Sequence, residues 1–470
     1  MHACLGSILD LLTENGVHRD VDGVTITSPV LMWLEAIDLC FQKLMDLVDL
    51  SKIVAISGCA QQHGTVYWNN EYAECFKNLQ NGKNLISGLK KAFSLYDSPI
   101  WMDSSTTDEC QAMETNVGGP MELAKITGSK AHHRFSGNQI MKIFRNNRSV
   151  YNSTERISLV SSFLASVLCG KLAEIDVGDA GGMNLMDLQC KEWNEKCLNA
   201  IINGNNEDKQ ILKKKLGNIT PSNSILGPIS PYFFKYGFSP NCQIVTFTGD
   251  NLSSLAGLCL SSGQLAISLG TSDTVFFTTH YYLPHLDGHI FRNPINETEF
   301  MVMLCFKNGS FTRDRIRKSV GASNWQDFSA LISSVPPGNN GNIGFYFDDD
   351  EILPNISRGD HRFSRMQSVE KFPPEVEARA VIEHQCLAKR FYAEQIGYKA
   401  NGRGNILVTG GASCNFSILQ ILANVFSTKV YTTDNSDSAA LGGALRARHG
   451  YIFFLIYRKL NQSSSINFHE

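Results

Sequence analysis

The chain has 470 residues, more than one ordinary hydrophobic core accommodates, so two domains are expected. Its 43% hydrophobic and 19% charged residues, with a formal net charge of -3, lack the basic excess that a nucleic-acid partner requires. The thirteen cysteines run from Cys4 to Cys414 with no C-x-x-C pair, a pattern that points to reduced thiols in a cytoplasmic protein rather than a disulfide framework.

In chain order, "MHACLGSILDLLTENG" lacks a cationic leader region, and Asp10 interrupts its apolar run, so no targeting segment is expected. Apolar residues at helical spacing predict a helix over 29–48, with Pro29 in its first turn. "SKIVAISGCAQQHGTVYW" reads as strand, polar turn and strand, and the turn carries Gln61, Gln62 and His63. Two amides and an imidazole suit hydrogen bonding to a polyol; a turn histidine bonded to solvent or a carbonyl is the plainer alternative. "SPIWMDSSTTDEC" brings Trp101 beside Asp103, which is either a sugar-binding pairing or a packed Trp with a capping Asp. In "AHHRFSGNQ" the adjacent His132 and His133 do not face one way in a regular element, so Arg134 is the better candidate, as a polar clamp. "ERISLVSSFLASVLCG" predicts a helix closed by Gly170, and about 200–225 is polar and weakly patterned.

A domain boundary is expected near residue 245. "QIVTFTGDNLSSLAGL" passes from strand to helix at Asp250-Asn251. Ligands in α/β proteins bind beyond the carboxyl ends of strands, so Asp250 is either a catalytic group or a helix cap. "LAISLGTSDTVFF" joins two strands at Gly270-Thr271-Ser272, a turn that either cradles an anion or serves as an ordinary hairpin. "NILVTGGASCNFSILQILANVF" ends a strand at Gly410-Gly411 and starts a helix near Asn415. Glycines admit close approach of a ligand and a helix N-terminus attracts phosphate, although a tight connection capped by Asn415 has the same residues. Neither a dinucleotide fingerprint nor a P-loop occurs. "YIFFLIY" is far shorter than the roughly 20 residues of a membrane span. Alternation of strand, Gly-rich turn and helix gives an α/β class.

Taken in order, the QQH turn, the WMD segment, the Arg before "FSGNQ", and then "FTGDN", "SLGTSDT" and "TGGASCN" resemble the FGGY carbohydrate kinases. "VTITSPVLMW", "PIWMDSSTT", "TERISLVSSF" and "LCFKNGS" resemble the branch that phosphorylates xylulose, and the resemblance runs from about Gly16 to Gly450. It implies two ribonuclease-H-like domains of the actin/Hsp70/sugar-kinase superfamily closing over ATP-Mg²⁺ and a sugar. The expected division is 1–245 for sugar, 246–450 for ATP, and 451–470 as a divergent tail. The implied substrates are ATP and D-xylulose, with D-xylulose 5-phosphate as product. No nucleic-acid or membrane partner is implied, no metal ligands are assigned, and no oligomeric state follows. His63 and Arg134 match the family's sugar-contacting positions, and Asp250 and Asn251 its sugar-binding pair, with Asp250 the general base. Gly270, Thr271 and Ser272 match a phosphate hairpin, Trp325 the adenine side, and Gly410, Gly411 and Asn415 the adenosine motif. Gln62 and Asp103 are added as further sugar contacts.

The chain also departs from that pattern. The family's first phosphate hairpin has no counterpart in "MHACLGSILDLLTEN", and "YIFFLIYRKLNQSSSINFHE" lacks the expected helical ending. Where many relatives have Pro-x-x-Lys-Leu-x-Trp, "NQIMKIFRNN" keeps Lys142 but has Phe144 for the Trp. An expected consequence is a weakened phosphate cradle, so the alternative expectation is a catalytically impaired sugar- or nucleotide-binding protein or a truncated isoform.

Overall fold

The computed structural model describes residues 13–399, 404–433 and 437–464. The expectation of a missing first hairpin falls largely on residues 1–12, which lie outside that range. The chain forms two compact units: residues 1–257, 291–297 and 438–470, and residues 258–290 and 298–437. The division therefore falls at Gly257/Leu258 rather than at 245, and the chain returns to the first unit at Ser438.

The reason is a close helix crossing. The helix Asp250–Gly257 packs on Ser438–Ser464. A Cβ on Gly257 would collide with the carbonyl of Ser438, and one on Gly442 with that of Ser253, so glycine on both helices lets the backbones touch. Ser253 Oγ donates to the Ala439 carbonyl at 2.7 Å, and the buried Arg446 guanidinium donates to the carbonyls of Ser222 and Thr246 at 3.0 and 2.9 Å. The expectation that the C-terminal stretch lacks a helical ending is corrected, because the helix continues to Ser464.

Within the first unit, Val30–Leu44 is the expected helix; Pro29 stands just before it, extended, and pairs with Asp97 in a strand. Val30 and Leu34 are buried, and Trp33, Ile37 and Phe41 pack beside them on an aromatic core around Trp68, Phe93, Phe163 and Phe233. "ERISLVSSFLASVLCG" is only half helix. Thr154–Leu159 is a strand paired with Thr65–Asn69, and the helix Val160–Cys169 follows, closed by Gly170 at φ 66°. The polar stretch after 200 holds a helix, Asn206–Leu216, capped by Asn205.

In the second unit the strands Phe300–Phe306, Asp273–Thr279, Leu265–Leu269, Ile406–Thr409 and Val430–Thr432 run side by side in that order. The first two pairings are antiparallel and the last two parallel. The helices Trp325–Ser333, Pro374–Gln395 and Phe416–Phe426 pack together beside them. No helix among the described residues is long and apolar enough to cross a membrane.

Candidate functional site

Two short parallel strands build the first site. Cys59–Ala60 pairs in register with Thr248–Gly249, so their carboxyl ends release Gln61-Gln62-His63 and Asp250-Asn251 side by side. This is where α/β proteins place ligands. Gly249 is obligatory, since a Cβ there would strike the Gln62 side chain.

Asp250 opens the helix Asp250–Gly257 and is reached by solvent although protein surrounds its carboxylate. The Asn251 backbone N–H donates to Oδ1 at 2.9 Å and the Asn251 amide donates to it at 3.2 Å. That same amide donates to Gln62 Oε1 at 2.9 Å. Burial pushes the Asp250 carboxyl above the ordinary range, against the lowering effect of the backbone N–H groups of Asn251, Asp250 and Gln62. A carboxylate of raised basicity suits proton acceptance.

His63 is buried at φ 72°, with Nδ1 2.9 Å from the Gly182 carbonyl and its ring stacked 4.4 Å from that of Phe135. The carbonyl makes Nδ1 the donor and fixes the ring's orientation. Arg134 is half-buried beside His133, whose pKa is lowered by burial and then by the Arg134 charge. Asp103 is held by groups of the protein itself. Its buried oxygens accept from the backbone N–H groups of Ile26 and Ser105, the Ser105 hydroxyl and the Gln139 amide, so it ties three segments together. Trp101 stands 48% exposed. Lys142 reaches Ser105 Oγ at 2.6 Å, and Phe144 fills the core against Tyr151 under the Arg148 guanidinium.

The second unit holds a cavity of about 890 Å³ lined by Gly270, Thr271, Arg313, Trp325, Gly411 and Asn415, among others. The volume is in the range of a small-molecule site. Five of the seven residues expected to hold nucleotide line it; Ser272 and Gly410 flank it in sequence. The turn 270–272 is fixed from behind. The Gly270 carbonyl accepts from Ser310 N at 2.8 Å and Arg313 Nη2 at 3.2 Å, and the Thr271 carbonyl from Gly309 N at 3.1 Å. The side chains of Thr271 and Ser272 are left exposed. Gly410, at φ 86°, lies so close to the Leu269 backbone that a Cβ would come 2.5 Å from its carbonyl oxygen, whereas Gly411 faces open space. Asn415 caps Phe416–Phe426 through Ile418 N at 3.2 Å, and its amide donates to Ser329 Oγ at 3.1 Å. Trp325, 39% exposed, sets an aromatic face on the wall.

Comparison with known proteins shows the family. Residues 81–257 match the N-terminal domain of the FGGY family of carbohydrate kinases, and residues 265–451 match its C-terminal domain. The chain belongs to the FGGY family of carbohydrate kinases.

This FGGY kinase is 48% identical over 441 residues to the xylulose kinase of Rattus norvegicus, covering 93% of the chain and 81% of the relative. It is 47% identical to xylulose kinase 2 of Arabidopsis thaliana, covering 94% and 80%. Among solved structures it matches a ligand-bound xylulose kinase from Lactobacillus acidophilus with a TM-score of 0.73 at 20% identity, covering 92% of this chain and 83% of that one. Glycerol kinase of Plasmodium falciparum with ADP gives 0.74 at 15%, with the same coverages. The fold is thus that of the two-domain sugar kinases.

One carboxylate of the first site escapes the sequence reading. Asp179, in the short helix Val177–Ala180, is 1% exposed and accepts from Ser161 Oγ at 2.5 Å. Burial raises its pKa to about 7, with the Ser161 and Gln62 contacts opposing and the Asp176 and Asp250 charges reinforcing the shift. The available signal was an acidic pair, Asp176 and Asp179, in the Gly-rich stretch "IDVGDAGG" after a short strand. In the second unit, Arg313 and Ser329 were also missed; both lie in helices whose sequence shows only ordinary amphipathic spacing.

Proposed function

We propose that this FGGY kinase transfers the γ-phosphoryl group of ATP to the 5-hydroxyl of D-xylulose, forming D-xylulose 5-phosphate and ADP. The observation that carries the reading is the match along 93% of the chain to proteins named xylulose kinase, joined to a carboxylate site and a separate nucleotide-sized cavity.

In this reading Asp250 accepts the proton of the 5-hydroxyl while that oxygen bonds to the γ-phosphorus and the bond to the β,γ-bridging oxygen breaks. His63, Arg134, Asn251 and Gln62 orient the sugar hydroxyls, and Asp103 holds the loop behind them. Thr271 and Ser272 meet the phosphates, with Gly270 letting them approach the backbone. Trp325 takes the adenine face, and Gly410, Gly411 and Asn415 shape the adenosine end. Phosphoryl transfer asks little covalent work of the protein, so positioning and charge stabilisation supply most of the rate. Mg²⁺ enters as part of the nucleotide substrate. A cradle of backbone N–H and hydroxyl groups suits phosphates already complexed to metal, since Mg²⁺ favours substrate phosphates and water over an all-protein cage. The scattered free cysteines support a cytoplasmic setting.

The test is ADP release with D-xylulose and ATP-Mg²⁺, with the product identified by ³¹P NMR. Sugar-dependent ADP formation with a 5-phosphate ester is expected. Release no faster than the sugar-free rate would overturn the reading.

A further inference from the structure

Asp179 and Gln62 carry two orphans that complement each other. Gln62 is buried; its Oε1 accepts from the Asn251 amide at 2.9 Å, so its Nε2 donors must point elsewhere. Neither Gln62 Nε2 nor Asp179 Oδ1 makes a hydrogen bond of full geometry, although the Gln62 side chain lies close enough to lower the Asp179 pKa. The two groups meet at one point of the backbone: a Cβ on Gly249 would lie 2.8 Å from Asp179 Oδ1 and 2.9 Å from Gln62 Cδ. The other carboxylate oxygen is already held by Ser161. A buried acceptor and a buried donor left unmatched each cost free energy, so a small rotation that joins them is favoured.

We propose that Asp179 is a positioning residue for the transfer reaction, fixing the Gln62 amide, which holds Asn251 and through it the carboxylate of Asp250. The inference rests on the proposed reading of Asp250 as base. Its chemistry follows from amide asymmetry. Gln62 donates to Asp179 and accepts from Asn251, and Asn251 donates to Asp250 Oδ1 at 3.2 Å. The chain runs in one direction, each amide's orientation set by the one before it. Its first member is strongest as an ionised acceptor, and ionised Asp179 also raises the basicity of Asp250 by like charge.

The titratable groups that face Asp179 come from several elements, and of these the charges of Asp176 and Asp250 raise its pKa. Asp176 lies at the N-cap of its own short helix, Asp250 opens the helix Asp250–Gly257, Arg446 lies on Ser438–Ser464, and Cys59 lies on the strand paired with Thr248–Gly249. Arg446 is the one cation of this set, and its guanidinium is spent on the carbonyls of Ser222 and Thr246. Asp179 and Asp250 therefore titrate as a pair, with macroscopic steps that belong to both. The upper step, near the value of about 7 to which Asp179 is raised, is the ionisation that completes the amide chain.

The test compares the full-length chain with Asp179→Asn and Asp179→Leu. Kinetics with D-xylulose and ATP-Mg²⁺ give kcat and KM from pH 5 to 9, and calorimetry gives D-xylulose affinity over the same range without turnover. Asparagine can still present a carbonyl to Gln62 and an amide to Ser161, so Asp179→Asn is expected to keep activity to within about tenfold while losing the upper pH step. Leucine breaks the chain, and kcat is expected to fall by about a hundredfold with less than a threefold change in the KM for ATP. Should the leucine variant fail to fold, the asparagine pH profile still decides. An asparagine variant that keeps both pH steps overturns the inference, as does a folded leucine variant of wild-type kcat. If the wild type shows no sugar-dependent turnover, the functional reading fails separately, and the pH dependence of sugar affinity in the asparagine variant still tests the coupling.

Discussion

Asp179 in the first unit and Asp273 in the second are buried alike, at 1% and 0% exposure, and yet their carboxyls are pushed in opposite directions. Asp179 has a serine hydroxyl, neighbouring acids and no cation bonded to it, and burial raises it. Burial is the first influence on Asp273 too, but the Lys389 and Arg313 charges and hydrogen bonds together outweigh it and hold the carboxyl below its usual range. Arg313 approaches Asp273 at 2.8 and 3.2 Å and Lys389 at 2.8 Å, with Gln385 accepting a further guanidinium bond at 2.8 Å. Arg313 also donates to the Gly270 carbonyl. The difference separates two uses of a buried acid. Paired with cations, it is a permanent bolt behind the turn at Gly270–Ser272. Left without them among neighbouring acids, it is a group whose charge state changes near neutral pH.

That contrast breaks first at Asp273. Asp273→Asn leaves two buried cations without their counter-charge, and a loss of about 3–5 kcal/mol of stability is expected in urea unfolding. A variant as stable as wild type would show that the cluster is no bolt. Next comes the cavity that the bolt supports. Trp325→Ala should raise the KM for ATP by about tenfold, through loss of an aromatic face, and leave the KM for D-xylulose unchanged. An equal rise in both constants would remove Trp325 from the nucleotide wall.

The smallest effect is a matter of sign. The ordinary carboxyl value for Asp179 is 3.8 and its folded value is about 7, so between them the folded chain keeps a proton that the unfolded chain has released. Stability contributed by this group is full below the lower value and lost as pH rises through the upper one. Asp179→Asn removes that loss, so its melting temperature should exceed wild type by a few degrees at pH 8 and match it near pH 4. For Asp273, whose folded value is lowered, stability is present above 3.8 and lost as pH falls through the lowered value. A gain from Asp179→Asn that is the same at both pH values would blunt the comparison.

Much of this architecture is legible in the residues. The hairpin about Gly270–Ser272, the strand-to-helix passage at Asp250 and the Asn415 cap all stand where local spacing puts them, because each depends on neighbours close in sequence. The strand Thr154–Leu159 was hidden inside a helical-looking run, since its identity comes from pairing with Thr65–Asn69. The tie that Asp103 makes could not be read locally, because two of its four donors come from the remote Ile26 and Gln139. The return of the chain at Ser438 rests on a glycine-to-glycine crossing that neither segment reveals alone. Asp179 was missed for the same reason: a carboxylate's charge state is a property of its surroundings.

The most direct test of the account is Asp250→Ala, assayed for ADP release with D-xylulose and for D-xylulose affinity by calorimetry. The account predicts turnover reduced by at least about a thousandfold, with sugar affinity within about tenfold of wild type through His63, Arg134 and Asn251. Near-normal turnover in that variant would contradict the assignment of Asp250 as the base.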